Sequence, residues 1–118
     1  MGGVKLVAPA ERTFEQIGGD AGDIRIGRDV AGDLSKTLGA GVGIFERCSM
    51  EWTVLYDEYL YCLEGTLTIK TRDGALVMQA GHGLWLPAGT WVTYEAKERA
   101  KVVFAIYPVD WRERQPKA

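Results

Sequence analysis

From Gly41 to Tyr107 the chain alternates short runs of apolar and β-branched residues with turn residues, and the runs have the length of strands rather than helices. The sharpest break is Asp73-Gly74, which separates Thr66–Thr71 from Ala75–Gln79. Tight hairpin turns need positive φ, and an Asp-Gly pair supplies it at little steric cost, so this pair predicts a β-hairpin. Glycine is frequent throughout: 15 in 118 residues is nearly double the usual share of about 7%. With four prolines, this is the composition of a turn-rich chain of short strands. Strands of this length, with turns every 8 to 12 residues or so, predict a sandwich or small barrel. The length allows one hydrophobic core and leaves no room for a second.

The pattern predicts strands at Ile24–Arg28, Val42–Cys48, Thr53–Leu55, Tyr59–Leu63, Thr66–Thr71, Ala75–Gln79, Leu84–Leu86, Trp91–Glu95 and Lys101–Tyr107. A further strand is expected at Leu34–Leu38, within the turn-rich stretch Asp29–Gly41. Ser49-Met50-Glu51 reads as a turn, Glu64-Gly65 as a corner, and the charged stretch Glu95–Lys101 as a solvated loop. Residues 1–23 form an N-terminal arm with a short helical turn expected within Glu11–Ile17. The domain proper is residues 24–111, and 112–118 is a charged tail expected to be flexible.

A formal net charge of −2 lacks the basic face that nucleic acid or an anionic membrane would require. No apolar run approaches the roughly 20 residues that span a bilayer. Met1–Ala10 holds one Lys and no long apolar core, so it does not read as a secretory signal. Leu6 stands where a myristoylation site requires Ser or Thr. The expected compartment is therefore the cytoplasm, where Cys48 and Cys62 are read as two buried free thiols. No CxxC or Cys/His cluster points to structural zinc.

Two spaced glycine frames narrow the fold. The first is Glu58-Tyr59-Leu60-Tyr61-Cys62-Leu63-Glu64-Gly65; the second runs from Gly81 to Pro87-Ala88-Gly89, with the Asp73-Gly74 turn between them. Their order and spacing resemble the paired motifs of cupins, which implies a double-stranded β-helix, or jelly-roll, barrel. The histidine pair that cupins place before the glutamate falls here on Trp52 and Val54, or on Glu51 and Thr53. The last cupin ligand position falls on Val92. The single histidine, His82, follows Gly81 and is read as a turn residue.

The run Trp52-Thr53-Val54-Leu55-Tyr56-Asp57-Glu58, then Leu63-Glu64-Gly65, then Tyr107-Pro108-Val109-Asp110-Trp111, resembles the ethanolamine-utilisation EutQ family of cupins over Gly41–Trp111. Members of that family also lack the histidines, and its enterobacterial members carry a long N-terminal region before this part. The resemblance implies a bacterial protein, a homodimer, and a link to ethanolamine or related small-carbon metabolism. Glu46 matches an acidic position of that family.

Side chains two apart on a strand share a face. If Glu58 points into the barrel, Leu60 and Cys62 share its wall, and Thr90, Val92 and Tyr94 share the wall after Pro87. Glu46 has no fixed face in this reading, because a turn intervenes. The expected pocket is apolar and aromatic, with Glu58, Tyr56 and Glu46 as the groups for proton transfer. Trp52, Cys62, Tyr94 and Thr90 would contact a small-molecule ligand, with Trp52 at the mouth. A buried carboxylate must be protonated, paired or bound to a cation, and two that converge would raise one pKa. The plainer roles are a hydrogen bond from Tyr56 or a backbone amide for Glu58, and a solvated strand face for Glu46. No cofactor is expected; any divalent metal would be held weakly by Glu58 and Glu46. Asp57 reads as a turn residue, and Tyr61, Trp85 and Trp91 as core or dimer-interface aromatics. Two functions follow: a small-molecule binder or metal-independent enzyme, and a non-catalytic homodimeric binding or assembly module.

Overall fold

A computed structural model of the chain describes residues 3–116. Its strands are β1 (Glu15–Gln16), β2 (Asp23–Val30), β3 (Gly39–Thr53), β4 (Asp57–Thr71), β5 (Gly74–Gln79), β6 (Gly83–Leu86) and β7 (Trp91–Tyr107). They form an antiparallel sheet in the order β1-β2-β3-β7-β4-β5, with β6 added alongside β4. Short 3-10 turns at Pro9–Glu11 and Gly19–Ala21 stand in the N-terminal arm. The architecture is the all-β jelly-roll barrel expected from the glycine frames. Among the described residues no helix is long and apolar enough to cross a membrane.

The barrel depends on three long strands with irregular midpoints. In β3, Arg47 takes φ 42°, and the pairing with β7 steps from Glu46–Arg99 to Cys48–Ala96. In β4, Gly65 takes φ 75°, and the register with β7 slips on both sides of it. Such bulges bend a strand and sharpen its twist, which lets one long ladder turn a corner without breaking. They also switch the face that points inward. Glu58, Leu60 and Cys62 are buried before the β4 corner, and Leu67 and Ile69 after it. Inward residues from β2, β3, β4 and β7, among them Ile24, Leu60, Leu67, Ile69, Val92 and Val102, meet in a single core.

Several expected breaks are bends inside continuous strands. Ser49-Met50-Glu51 is not a turn: these residues pair with Glu95, Tyr94 and Thr93, and Met50 is half-buried between two exposed neighbours. The chain turns instead at Val54–Tyr56, where Val54 and Leu55 were expected in a strand over Thr53–Leu55. There the Val54 N–H donates to the Thr90 carbonyl at 3.0 Å, and the Gly89 N–H donates to the Val54 carbonyl at 2.7 Å. Glu64-Gly65 lies within β4, and Glu95–Lys101 within β7, where Ala96 and Ala100 are buried and only residues 97–99 are exposed. Leu34–Leu38 forms no strand, because the Ala31 carbonyl accepts the N–H groups of both Leu34 and Ser35 and closes a turn.

The hairpin joining β4 to β5 has Arg72-Asp73 as its loop, one residue earlier than the sequence suggests, with Gly74 already paired to Thr71. The arm is partly built into the sheet through β1, which pairs with β2. The segment expected as a flexible tail forms turns as far as Arg114. Residues 1–2 of the arm and 117–118 of the tail lie outside the described residues.

Gly65 is where the corner is least tolerant. Its φ is positive, and a Cβ there would run into the Arg99 carbonyl across the ladder. Gly65→Ala is expected to destabilise the fold by about 1–3 kcal/mol, read as a lower midpoint in urea unfolding with an unchanged slope.

Candidate functional site

Inside the barrel the core opens into a cavity of about 280 Å³, at the small end of the range for ligand pockets. Ile26 and Arg28 of β2, Phe45, Met50 and Trp52 of β3, and Glu58 and Leu60 of β4 line it. Tyr94, Val102, Phe104 and Ile106 of β7, which pairs with both β3 and β4, also line it, and Gly43, Tyr56, Ile17, Trp111 and Arg112 complete the lining. Apart from Glu58, Tyr56, Tyr94 and the two arginines, the surface is almost wholly apolar.

Glu58 occupies the inward phase of β4, paired with Ile106 on one side and Leu86 on the other. It is 7% exposed. The Tyr94 hydroxyl, on the neighbouring β7, donates to its Oε1 at 2.8 Å. Removing a carboxylate from water disfavours its charge, and a donated hydrogen bond restores part of it. Burial wins here: the Glu58 carboxyl is pushed up to about 7, with the Tyr94 hydroxyl pulling the other way. Burial also pushes the Tyr56 phenol up to about 12, and holds that of Tyr94 far above its ordinary range. Both phenols therefore stay protonated at neutrality. The site offers one carboxyl poised to gain or lose a proton near pH 7, flanked by two neutral hydroxyls.

An aromatic wall stands beside it. The Trp52 indole N–H donates to the Tyr56 hydroxyl at 3.3 Å. Trp111 packs edge-on to Trp52 at 6.1 Å and tilted against Tyr56 at 5.1 Å. The turn after β7 is held in place by the Val109 N–H, which donates to the Thr37 carbonyl at 2.7 Å. Phe45 stacks on Tyr94 with centroids 5.8 Å apart, which backs the hydroxyl that holds Glu58.

The structure brings Glu58, Tyr56, Tyr94 and Trp52 together and leaves Glu46, Cys62 and Thr90 out. Glu46 accepts a hydrogen bond from Arg25 on β2, outside the cavity. The Arg47 bulge makes both Phe45 and Cys48 inward, so Glu46 falls on the other side. Cys62 shares the face of Glu58, but it lies in the solid core with its thiol directed at the carbonyls of Glu64 and Gly65. Thr90 donates to the Pro87 carbonyl at 2.7 Å and closes the loop before β7. Glu58 is bonded by Tyr94 and not by Tyr56. His82 and Asp57 are turn residues: His82 Nδ1 accepts the Gln79 N–H at 3.0 Å, and Asp57 accepts that of Ala88 at 2.9 Å. Tyr61 and Trp85 are exposed rather than buried in the core, and Trp91 lies under the Arg72 guanidinium.

The donor set does not suit a resident transition metal. Of the residues at the histidine positions, in either alignment, Glu51 and Thr53 are exposed, Trp52 lines the cavity, and Val54 and Val92 are buried; Glu58 is the only carboxylate on the lining, and the phenols are neutral. Glu58 and Glu46, the pair expected for any weak cation, do not share the cavity. Among the described residues no three His, Cys, Asp or Glu side chains gather.

Arg28 and Arg112 were not among the expected site residues. Arg28 follows Ile24 and Ile26 in the inward phase of β2, so strand alternation does carry a signal for it. Arg112 lies beyond the last strand, where periodicity gives none.

The sequence matches the family described as Ethanolamine utilisation protein EutQ over residues 1–113. It is 29% identical over 77 residues to the Clostridioides difficile protein named Acetate kinase EutQ, covering 65% of this chain and 49% of that protein. The chain spans about half the length of the curated relatives it matches. The crystal structure of a putative ethanolamine utilization protein q from Salmonella typhimurium superposes with a TM-score of 0.82 at 20% identity, covering 90% of this chain and 87% of that one. An RmlC-like cupin from Shewanella frigidimarina gives 0.73 at 14% identity, over 90% and 92% of the two chains. At these identities the structures establish the fold, which is that of a cupin.

The raised pKa of Glu58 gives a signed prediction for stability. The folded protein holds the proton more tightly than the unfolded chain, so the contribution is full below about pH 4.5 and is lost as pH rises through about 7. The loss is on the order of 3 kcal/mol. Urea unfolding between pH 4 and 8 is expected to show this decline in the wild type and a much flatter profile in Glu58→Gln. Equal slopes in the two proteins would contradict it.

Proposed function

The chain belongs to the family of the ethanolamine utilisation protein EutQ, and from that premise we propose that it is a cytoplasmic cupin of ethanolamine or related small-carbon metabolism whose barrel binds a small molecule. Glu58 is the polar anchor of that molecule and exchanges a proton with it without a resident metal. The observation that carries this reading is the burial of one carboxyl, bonded by Tyr94, at an apolar cavity instead of in a filled core. Burying a carboxyl costs free energy that a structural role does not require, and sites where burial moves a pKa to the working pH concentrate at functional centres. Tyr94 acts as a positioning residue for the Glu58 carboxyl. Tyr56 and Trp52 supply a polar edge to the aromatic wall.

We propose further that the working form is a homodimer. On the outer side of β6, β4 and β7, Trp85, Tyr59, Tyr61, Leu63, Val103 and Tyr107 are all exposed. Neighbouring pairs in the ladder, Tyr59 with Trp85 and Tyr61 with Val103, place them in one continuous apolar face. Soluble monomers rarely leave such a patch uncovered, and a second copy of the same face is the simplest complement.

Native mass spectrometry of the purified protein tests both statements. The expected spectrum is a dimer carrying one small molecule per chain, with Glu58→Gln losing at least about tenfold in occupancy. Trp85→Glu is expected to give mainly monomer. A ligand-free wild type, or undiminished occupancy in Glu58→Gln, would contradict the pocket reading. A wild-type monomer would contradict the dimer.

A further inference from the structure

The charge balance of the cavity indicates what kind of molecule it takes, given the ligand-binding reading above. Two arginines line the cavity, Arg28 from β2 and Arg112 from the turn after β7, against the single carboxyl of Glu58. Arg28 is engaged with Glu15 at 2.5 Å. Arg112 makes no ion pair among the described residues, and its guanidinium rests 4.9 Å over the Trp111 ring. Burial suppresses the charge of Glu58 near neutrality. Both arginines are exposed at the edge of the cavity, and Arg112 leaves an unbalanced positive charge there beside apolar walls.

A cationic ligand fits less well. An aromatic cage needs open ring faces, and here the Trp111 face is covered by Arg112 while Trp52 and Tyr56 pack against Trp111. A small inorganic anion also fits poorly, because most of the lining is apolar, Phe45, Leu60, Val102 and Phe104 included. The polar poles are set apart. Arg28 is on β2 and Glu58 on β4, and the ladder from Arg28 through Gly41 and Phe104 to Leu60 leaves β3 and β7 between them. Neighbouring strands are about 4.8 Å apart, so an occupant that touches both poles has a body of several atoms.

We propose that the ligand is an organic acid with an apolar or aromatic body, its carboxylate at Arg112 and Arg28 and a hydroxyl or carbonyl oxygen at the Glu58–Tyr94 pair. The acid group would enter charge-assisted hydrogen bonds with the guanidinium donors. Arg112, on an exposed turn and without an acidic partner among the described residues, sets the preference for the anion. Arg28 also ties β1 to β2 through Glu15.

Isothermal titration calorimetry with four probes tests the assignment on the full chain. The probes are 3-(4-hydroxyphenyl)propionate, its neutral amide, tyramine, and acetate. The first three keep the hydroxyl and aromatic body while the charge changes; acetate keeps the charge and loses the body. The acid is expected to bind about tenfold tighter than the amide, with tyramine and acetate weaker still. Arg112→Gln is expected to bring the acid down to the affinity of the amide and to leave the amide unchanged. Amide or tyramine binding as tightly as the acid, or an unaffected acid in Arg112→Gln, would overturn the anion assignment alone. Acetate binding as tightly as the aromatic acid would overturn the requirement for an apolar body. If none of the four bound, the ligand-binding reading of the cavity would fall with it.

Discussion

A hydrogen bond from the Tyr94 hydroxyl to the Glu58 carboxyl, in a space from which water is largely excluded, sets the chemistry of this barrel. Desolvation pushes the carboxyl toward its neutral form, and the phenol keeps the anion within reach. The same burial leaves both neighbouring phenols firmly protonated, so the cavity has one exchangeable proton near neutrality and not three. Phe45 stacks on Tyr94, and Ile106 is the cross-strand neighbour of Glu58.

The strand bends make that juxtaposition possible. Glu58 and Tyr94 are 36 residues apart and meet because β4 and β7 run side by side around their corners. The Gly65 and Arg47 irregularities let each long strand contribute to both ends of the barrel, and they determine which residues face inward at each end. Where cupins place imidazoles, this chain presents Trp52 on the lining with Val54 and Val92 buried, or Glu51 and Thr53 exposed. A carboxyl flanked by phenols occupies the polar centre of the cavity, and the turn after β7 brings Trp111 and Arg112 onto it.

Much of this was legible in the residues, and each failure has a physical origin. The glycine frames around Glu58–Gly65 and Gly81–Gly89 carry the fold, because a corner with positive φ leaves few alternatives to glycine. Glu58 and Tyr94 were legible because alternation holds over the first few residues of β4 and β7, and Trp52 and Tyr56 through the string Trp52-Thr53-Val54-Leu55-Tyr56-Asp57-Glu58 that carries the family resemblance. Alternation stops being a guide at a bulge. One extra residue at Arg47 turned Glu46 away from the cavity, and Ser49-Met50-Glu51 looks like a turn in composition while continuing a ladder. Cys62 shows another limit, since sharing a face with Glu58 fixes its direction but not how far the cavity extends. Arg112 was not legible at all. Its position depends on how the chain packs after its last strand, and no periodic pattern encodes that.

The account rests on the claim that Glu58 changes charge near neutrality inside the folded barrel. Carbon-detected NMR of selectively labelled glutamate carboxyls, titrated from pH 4 to 9, measures this directly, with Glu58→Gln assigning the resonance. The Glu58 carboxyl is expected to titrate at about pH 7 in the wild type, and higher in Tyr94→Phe, which removes the donor that favours the anion. A Glu58 midpoint near the ordinary 4.5, unmoved by Tyr94→Phe, would show a hydrated carboxylate and would contradict the account.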